Sequence, residues 1–272
     1  MPNTNNTNKM KQQYKTAQNL NSRISLHQLY STNPLGWNNW VFGNYQLQEN
    51  QKILELGCGN AGIWQAHADA LPTGIHLTLS DFSAGMLETA KANTSALKNA
   101  DYKEIDAQSI PYQNNTFDIV IANHMLYHVP NIHKALAEIA RVLKPTGTFY
   151  ATTIGNDNMK EMNDLLHAFD ARIDFAQGAI TQAFSLQTGG EKLSRHFQSV
   201  QLSRYADSLH ITQPQPLIDY ILSSQGFGNV NEIISGENVA RFTHFVEAIF
   251  AKHTYFDVFK DAGLFTAQAP VQ

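Results

Sequence analysis

Through the middle of the chain the apolar positions switch repeatedly between a period of two and a period near 3.6, and each switch marks a strand-to-helix step. Residues 52–56 are a short apolar run broken by one acid, Glu55, which predicts a buried parallel strand. Residues 63–71 then carry apolar side chains at helical spacing. Residues 75–81 alternate and end on Asp81. Ser83 is suited to cap a helix whose Leu87, Ala90, Thr94 and Leu97 share one face. Residues 102–106 make a weaker strand ending on Asp106, and residues 117–123 are β-branched and apolar enough to be central in a sheet. Asn131 is placed to cap a helix with the stripe Ile132, Leu136, Ile139 and Leu143. Pro145 stops that helix, residues 144–147 form a turn, and residues 148–153 form a fifth strand. Strand alternating with helix in this way predicts an α/β fold, with a doubly wound, mostly parallel sheet and helices on both faces.

Outside this run the pattern is less regular. Leu20, Ile24, Leu26, Leu29 and Tyr30 predict a short helix over residues 20–30. Residues 31–42 open with turn residues and hold two of the three tryptophans. That segment either packs on the domain edge or covers a ligand. Met159, Met162, Leu166 and Phe169 suit an amphipathic helix, for which ordinary core packing is sufficient reason. Residues 170–185 show no clear period. Residues 189–197, 212–222 and 235–250 predict helices and residues 200–205 a strand; residues 258–260 and 264–266, around Asp261-Ala262-Gly263, predict a closing hairpin. No internal repeat or linker interrupts the chain. The expected organisation is therefore a tail, residues 1–13, with nothing to bury, then one domain over residues 14–272. Within it, residues 22–45 form a lid segment and residues 155–198 a helical insertion.

Composition narrows the function without choosing it. The chain has 272 residues, 43% hydrophobic and 15% charged, with a net charge of -4, which disfavours broad electrostatic attraction to nucleic acid. Its one cysteine, Cys58, allows no intrachain disulfide and no cysteine-rich metal site. The Asn-, Gln- and Lys-rich start has no apolar core of a targeting peptide, and no long apolar span is present; a cytoplasmic protein is expected.

The chemistry concentrates where the first strand meets its helix. Gly57-Cys58-Gly59-Asn60-Ala61-Gly62 has the spacing G-x-G-x-x-G, which lets the backbone turn sharply and come close to a nucleotide-like ligand at a helix start. Dinucleotide-binding folds use the same glycines, so an NAD(P)-dependent oxidoreductase fits the turn and Asp81. Glu55, two residues before the first glycine, would lie near a pyrophosphate in such an enzyme, whereas a ligand with a cationic amino-acid end would welcome it.

With Glu55, Asp81 and Asp106 in order at successive strand ends, residues 52–153 resemble the class I S-adenosylmethionine (SAM) methyltransferases, of the type that act on small molecules. The resemblance implies a Rossmann-like sheet and S-adenosyl-L-methionine as cofactor. It places the cofactor against Glu55, Gly57, Cys58, Gly59, Asp81, Phe82, Asp106, Ala107, Gln108 and Asn123. Asp81 would accept the ribose hydroxyls, and Asp106 the adenine amino group. Helix capping by Asp81 and a solvated loop role for Asp106 are the competing assignments. Thr146 departs from the family, which usually has glycine there, and alters only a turn. Past the fourth strand, His124, Tyr127 and His128 would face the transferred methyl group, His128 as candidate base and Tyr127 as a positioning hydroxyl; a structural histidine is the alternative. A small-molecule acceptor is implied and no metal. A catalytically silent SAM-binding protein would share every cofactor residue.

Overall fold

In a computed structural model, which describes residues 17–175, 177–223 and 228–271, the strand-helix run becomes one seven-stranded sheet. The expected tail, residues 1–13, lies outside the described residues. The first half of the chain forms α1 (Ala17–Tyr30), α2 (Trp37–Asn44), β1 (Lys52–Leu56), α3 (Gly62–Ala66), β2 (His76–Asp81), α4 (Ala84–Asn93), β3 (Ala100–Glu104), β4 (Phe117–Asn123), α5 (Ile132–Val142) and β5 (Leu143–Ile154). The second half forms α6 (Lys160–Phe169), α7 (Gln177–Ala183), α8 (Gly189–Ser194), β6 (Phe197–Ile211), α9 (Pro214–Ser223), α10 (Val230–Ile233), α11 (Glu237–His253) and β7 (Phe256–Pro270). The strand order is β3-β2-β1-β4-β5-β7-β6. β1 through β5 pair in parallel, and β7 runs antiparallel to β5. The sheet is the expected doubly wound one, and its order reverses between β1 and β4, where open α/β sheets bind ligands at the carboxyl edge.

The described residues fall into two compact units. Of these residues the first comprises 17–36, 156–175, 177–180, 206–223 and 228–261; the second comprises 37–155, 181–205 and 262–271. In the second, the two-residue period sorts the sheet's side chains into two cores. Leu54, Leu56, Val120, Ala122, Phe149 and Ala151 pack with Leu136 and Ile139 of α5 on one face. Ile53, Leu77, Leu79, Ile119, Ile121 and Tyr150 pack with Val41, Trp64, Leu87 and Ala90 on the other. Counting on by twos puts Glu55, Asp81 and Asn123 on this second face, at the carboxyl ends of three strands. The first unit has its own core of Leu26, Met162, Leu166, Leu209, Leu217, Ile221, Phe242 and Val246. A buried ion pair lies within it, Lys260 Nζ to Asp207 Oδ2 at 2.6 Å. No described helix is long and apolar enough to cross a membrane.

Four expectations of the local structure are corrected. The helix after Asn131 ends at Val142, because Leu143 is already extended and pairs with Phe117. Residues 144–147 are taken up in an irregularity of register opposite β4, between the Phe117 and Ile119 pairs, and are no separate turn. The third strand runs Ala100–Glu104, so Asp106 sits two residues beyond it, in the loop. The closing hairpin is absent: residues 256–270 are one unbroken strand, with Ala262 and Gly263 paired to Ile154 and Thr153. Gly263 marks a close approach, since a Cβ there would lie 2.6 Å from the Ser203 carbonyl oxygen.

Candidate active site

The carboxyl edge is assembled from short polar side chains that three strands and a turn deliver to one place. Gly57 takes φ +70° and Gly59 φ +55°, turning the backbone out of β1. At Gly57 the turn also passes so close to Met125, just after β4, that a Cβ would fall 2.8 Å from the methionine Cβ. Asn60 Oδ1 accepts from the Gly62 N–H at 3.1 Å, and the Asn93 side chain donates to the Asn60 carbonyl at 2.9 Å, tying the turn to the end of α4. The Cys58 N–H donates to the Ser80 carbonyl at 2.8 Å. The Cys58 thiol is buried, and burial pushes its pKa well up, leaving it inert.

Asp81 links the turn to the next helix. Its Oδ2 accepts from the Gly59 N–H at 3.0 Å and its Oδ1 from the Ser83 N–H at 2.9 Å. Ser83, and not Asp81, caps α4 by accepting from the Met86 N–H. Burial raises the Asp81 pKa, with the Ser83, Gly59 and Phe82 N–H groups pulling the other way. Phe82 is 37% exposed beside it. Farther along, Asp106 Oδ1 accepts from the Gln108 N–H at 2.8 Å. The Gln108 amide also donates to both Asp106 oxygens, at 3.1 and 3.2 Å, while its Oε1 accepts from the Asn131 N–H. Ala107 is buried between them in the sheet's apolar core.

Glu55 is the most confined of the carboxyl groups at this edge. It is only 3% exposed. Oε2 accepts from the Trp64 indole N–H at 2.5 Å and Oε1 from the Asn123 side-chain amide at 2.8 Å. The same Asn123 nitrogen donates to the Tyr45 hydroxyl at 2.9 Å, and Asn123 Oδ1 accepts from Thr152 Oγ1 at 3.2 Å. Burial pushes the Glu55 pKa up to about 7 against the pull of the Trp64 and Asn123 donors, with Asp81 adding to the rise. Trp64, Tyr45 and Thr152 were not singled out from sequence. Trp64 was readable only as an apolar position of the helix after the turn, and its polar edge mattered only once α3 lay over β1.

Past β4 the backbone turns at His124, φ 48°, into a short 3-10 turn, Leu126–His128. The His124 ring lies 5.0 Å from that of Trp37, and Tyr127 and His128 meet edge to face at 4.5 Å. Trp37, Trp40 and Tyr205 pack together with centroids 5.1 to 5.4 Å apart. An aromatic surface therefore continues from α2 to the β4 end.

The glycine turn at β1, the acid closing β2 and the switch point at β1/β4 define a Rossmann-like protein whose site is built for a nucleotide-like ligand. Residues 54–151 match the family model described as a methyltransferase domain. Among curated proteins, the demethylmenaquinone methyltransferase of Staphylococcus epidermidis is 36% identical over 111 residues, covering 41% of this chain and 46% of that protein. The chain thus spans a little under half the length of the curated relatives it matches. Phosphoethanolamine N-methyltransferase 2 of Haemonchus contortus, solved with S-adenosylhomocysteine, aligns over 94% of this chain and 58% of its own with a TM-score of 0.56 at 16% identity. The [4+2]-cyclase SpnF aligns over 86% of this chain and 80% of its own, with a TM-score of 0.52 at 20% identity. At these identities the structural likeness concerns the fold, and a cyclase among the neighbours shows that the fold does not choose the reaction.

Proposed function

We propose that the protein is an S-adenosyl-L-methionine-dependent methyltransferase acting on a small, flat, largely apolar acceptor of quinone type. The observation that carries the cofactor is the buried Glu55 carboxyl at the glycine turn, whose hydrogen-bond partners among the described residues include no cationic side chain, with Asp81 one strand away. Glu55 and Asn123 would hold the amino-acid end, Asp81 the ribose, and Asp106 with Ala107, Gln108 and Phe82 the adenine. When bound, the cofactor supplies a methyl group on a sulfonium leaving group, so the protein's task is alignment at about 3 Å and removal of a proton. Tyr127 orients the acceptor, and His128 takes the proton when the acceptor atom carries one. Trp37 and Trp40, backed by the buried Tyr205, offer flat apolar faces for a ring and exclude water.

The name of the curated relatives supports a quinone-type acceptor, and the aromatic surface supports a flat one. Calorimetric titration with SAM, S-adenosylhomocysteine and NAD tests the cofactor; tight NAD binding without SAM binding would overturn it. Incubation of SAM and a short-chain demethylmenaquinone analogue with the protein, read by mass spectrometry, tests the acceptor. SAM binding with no methyl transfer to that analogue removes the quinone assignment and leaves the cofactor assignment standing.

A further inference from the structure

We propose that Trp64 is a positioning residue whose indole N–H holds the buried Glu55 carboxyl group as the counter-charge for the ligand's cationic end, so that occupancy of the site is linked to loss of a proton from Glu55. This inference rests on the cofactor assignment above. Trp64 is 1% exposed, and its ring fills the core face of the sheet beneath the turn, stacked at 24° on Tyr45. A phenylalanine would meet the packing need. The indole edge, however, is aimed at Glu55 Oε2, while Asn123 covers Oε1. Both donors are neutral. They favour the carboxylate over the acid without supplying the positive charge that would settle it.

Among the described residues the ionisable neighbours supply none either. Asp81 comes from β2, Cys58 from the turn and Tyr45 from the segment before β1, with Tyr150 of β5 behind Tyr45. Each is neutral or negative. The Tyr45 hydroxyl accepts from Asn123, and burial raises its pKa, so it does not ionise near neutrality. Burial therefore pushes the Glu55 pKa up to about 7, near neutrality. An entering cation favours the ionised form. Binding releases a proton below that pH, and affinity rises with pH through the transition. Between pH 6 and pH 7 the ionised fraction changes by about fivefold, and the association constant follows it.

The experiment uses the full chain. In the ligand-free protein, 15N-resolved indole N–H signals are followed from pH 5.5 to 8.5, the Trp64 signal being assigned by its loss in Trp64→Phe. The expected result is a shift of that signal with a midpoint near 7, absent in Glu55→Gln. SAM dissociation constants are then measured over pH 6 to 8. Wild type should bind about fivefold tighter at pH 7 than at pH 6. Trp64→Phe, which removes a donor that lowers the Glu55 pKa, should move the midpoint upward and weaken binding at pH 7 severalfold. Glu55→Gln should bind weakly with no slope in this range. It tests the linkage even if Trp64→Phe does not fold. A Trp64 signal indifferent to pH, or a binding midpoint unchanged in Trp64→Phe, overturns this inference alone. No SAM binding by wild type at any pH overturns the cofactor assignment with it.

Discussion

Two buried carboxyl groups in this chain have opposite fates. Asp207, in the first unit, loses solvation on burial. The Lys260 ammonium, the Ser31 hydroxyl and the Asn33 N–H nonetheless hold its pKa below the usual carboxylate value. Glu55, in the second unit, is as deeply buried, has two neutral donors, and is pushed up to about 7. The difference is a positive charge from Lys260 together with more hydrogen-bond donors. Where the chain supplies the cation, the carboxylate is a fixed part of the structure, here fastening residues 31–33 to β6. Where it does not, burial raises the pKa and the carboxyl is left with neutral donors alone.

The largest effect should come from breaking the self-sufficient pair. Lys260→Ala leaves Asp207 buried without its counter-ion and is expected to cost about 3–5 kcal/mol of stability at pH 7, measured by urea unfolding. The folded-state pKa of Asp207 is depressed, so the contribution is present above the unfolded value and fades as pH falls through the folded one. Wild type and variant should converge in strongly acid solution. A variant as stable as wild type at pH 7 would show that the pair does not distinguish the two carboxyls.

Glu55 carries the opposite sign. A raised folded pKa means that stability falls as pH rises from the unfolded value, near 4.5, towards 7, by about 3 kcal/mol if nothing else compensates. Glu55→Gln should therefore be more stable than wild type at pH 8, by about 1–2 kcal/mol after the mismatch with the Asn123 amide is allowed for, while losing affinity for SAM. Thermal unfolding at pH 5 and pH 8 checks both sign and window; a variant less stable than wild type at pH 8 would contradict the cost assigned to the charge. Asp81→Ala should weaken SAM binding about tenfold to a hundredfold, or about 1.5–3 kcal/mol. An unchanged dissociation constant would reduce Asp81 to its bonds with Gly59 and Ser83. The smallest effect sharpens the comparison as a control. Asn131→Ala removes the cap that accepts from the Lys134 N–H and should cost about 1 kcal/mol of stability, leaving the pH midpoint of SAM binding where it was.

Much of the sheet was legible in the residue pattern because period and burial coincide there. The fourth strand was read residue for residue, and Asn131 and Ser83 cap their helices as expected. The misreadings share a cause, since local signals were overruled by pairing with distant chain. Leu143 fits a helical stripe but gains more as the start of a strand opposite Phe117, and Asp261-Ala262-Gly263 has turn chemistry but lies in a strand against β5.

The sequence by itself determined the strand-helix alternation, the glycine turn and the presence of Glu55, Asp81 and Asn123 at strand ends, because these follow from backbone sterics and from a side-chain period of two. Only the tertiary structure decided what each of them meets. That Trp64 of α3 turns its N–H onto Glu55, that Asn123 joins Glu55 to Tyr45, and that Lys260 reaches Asp207 are meetings between residues 9 to 78 positions apart. They depend on helix placement and strand order, which no local pattern encodes, and it is these meetings that set the charge on each buried carboxyl.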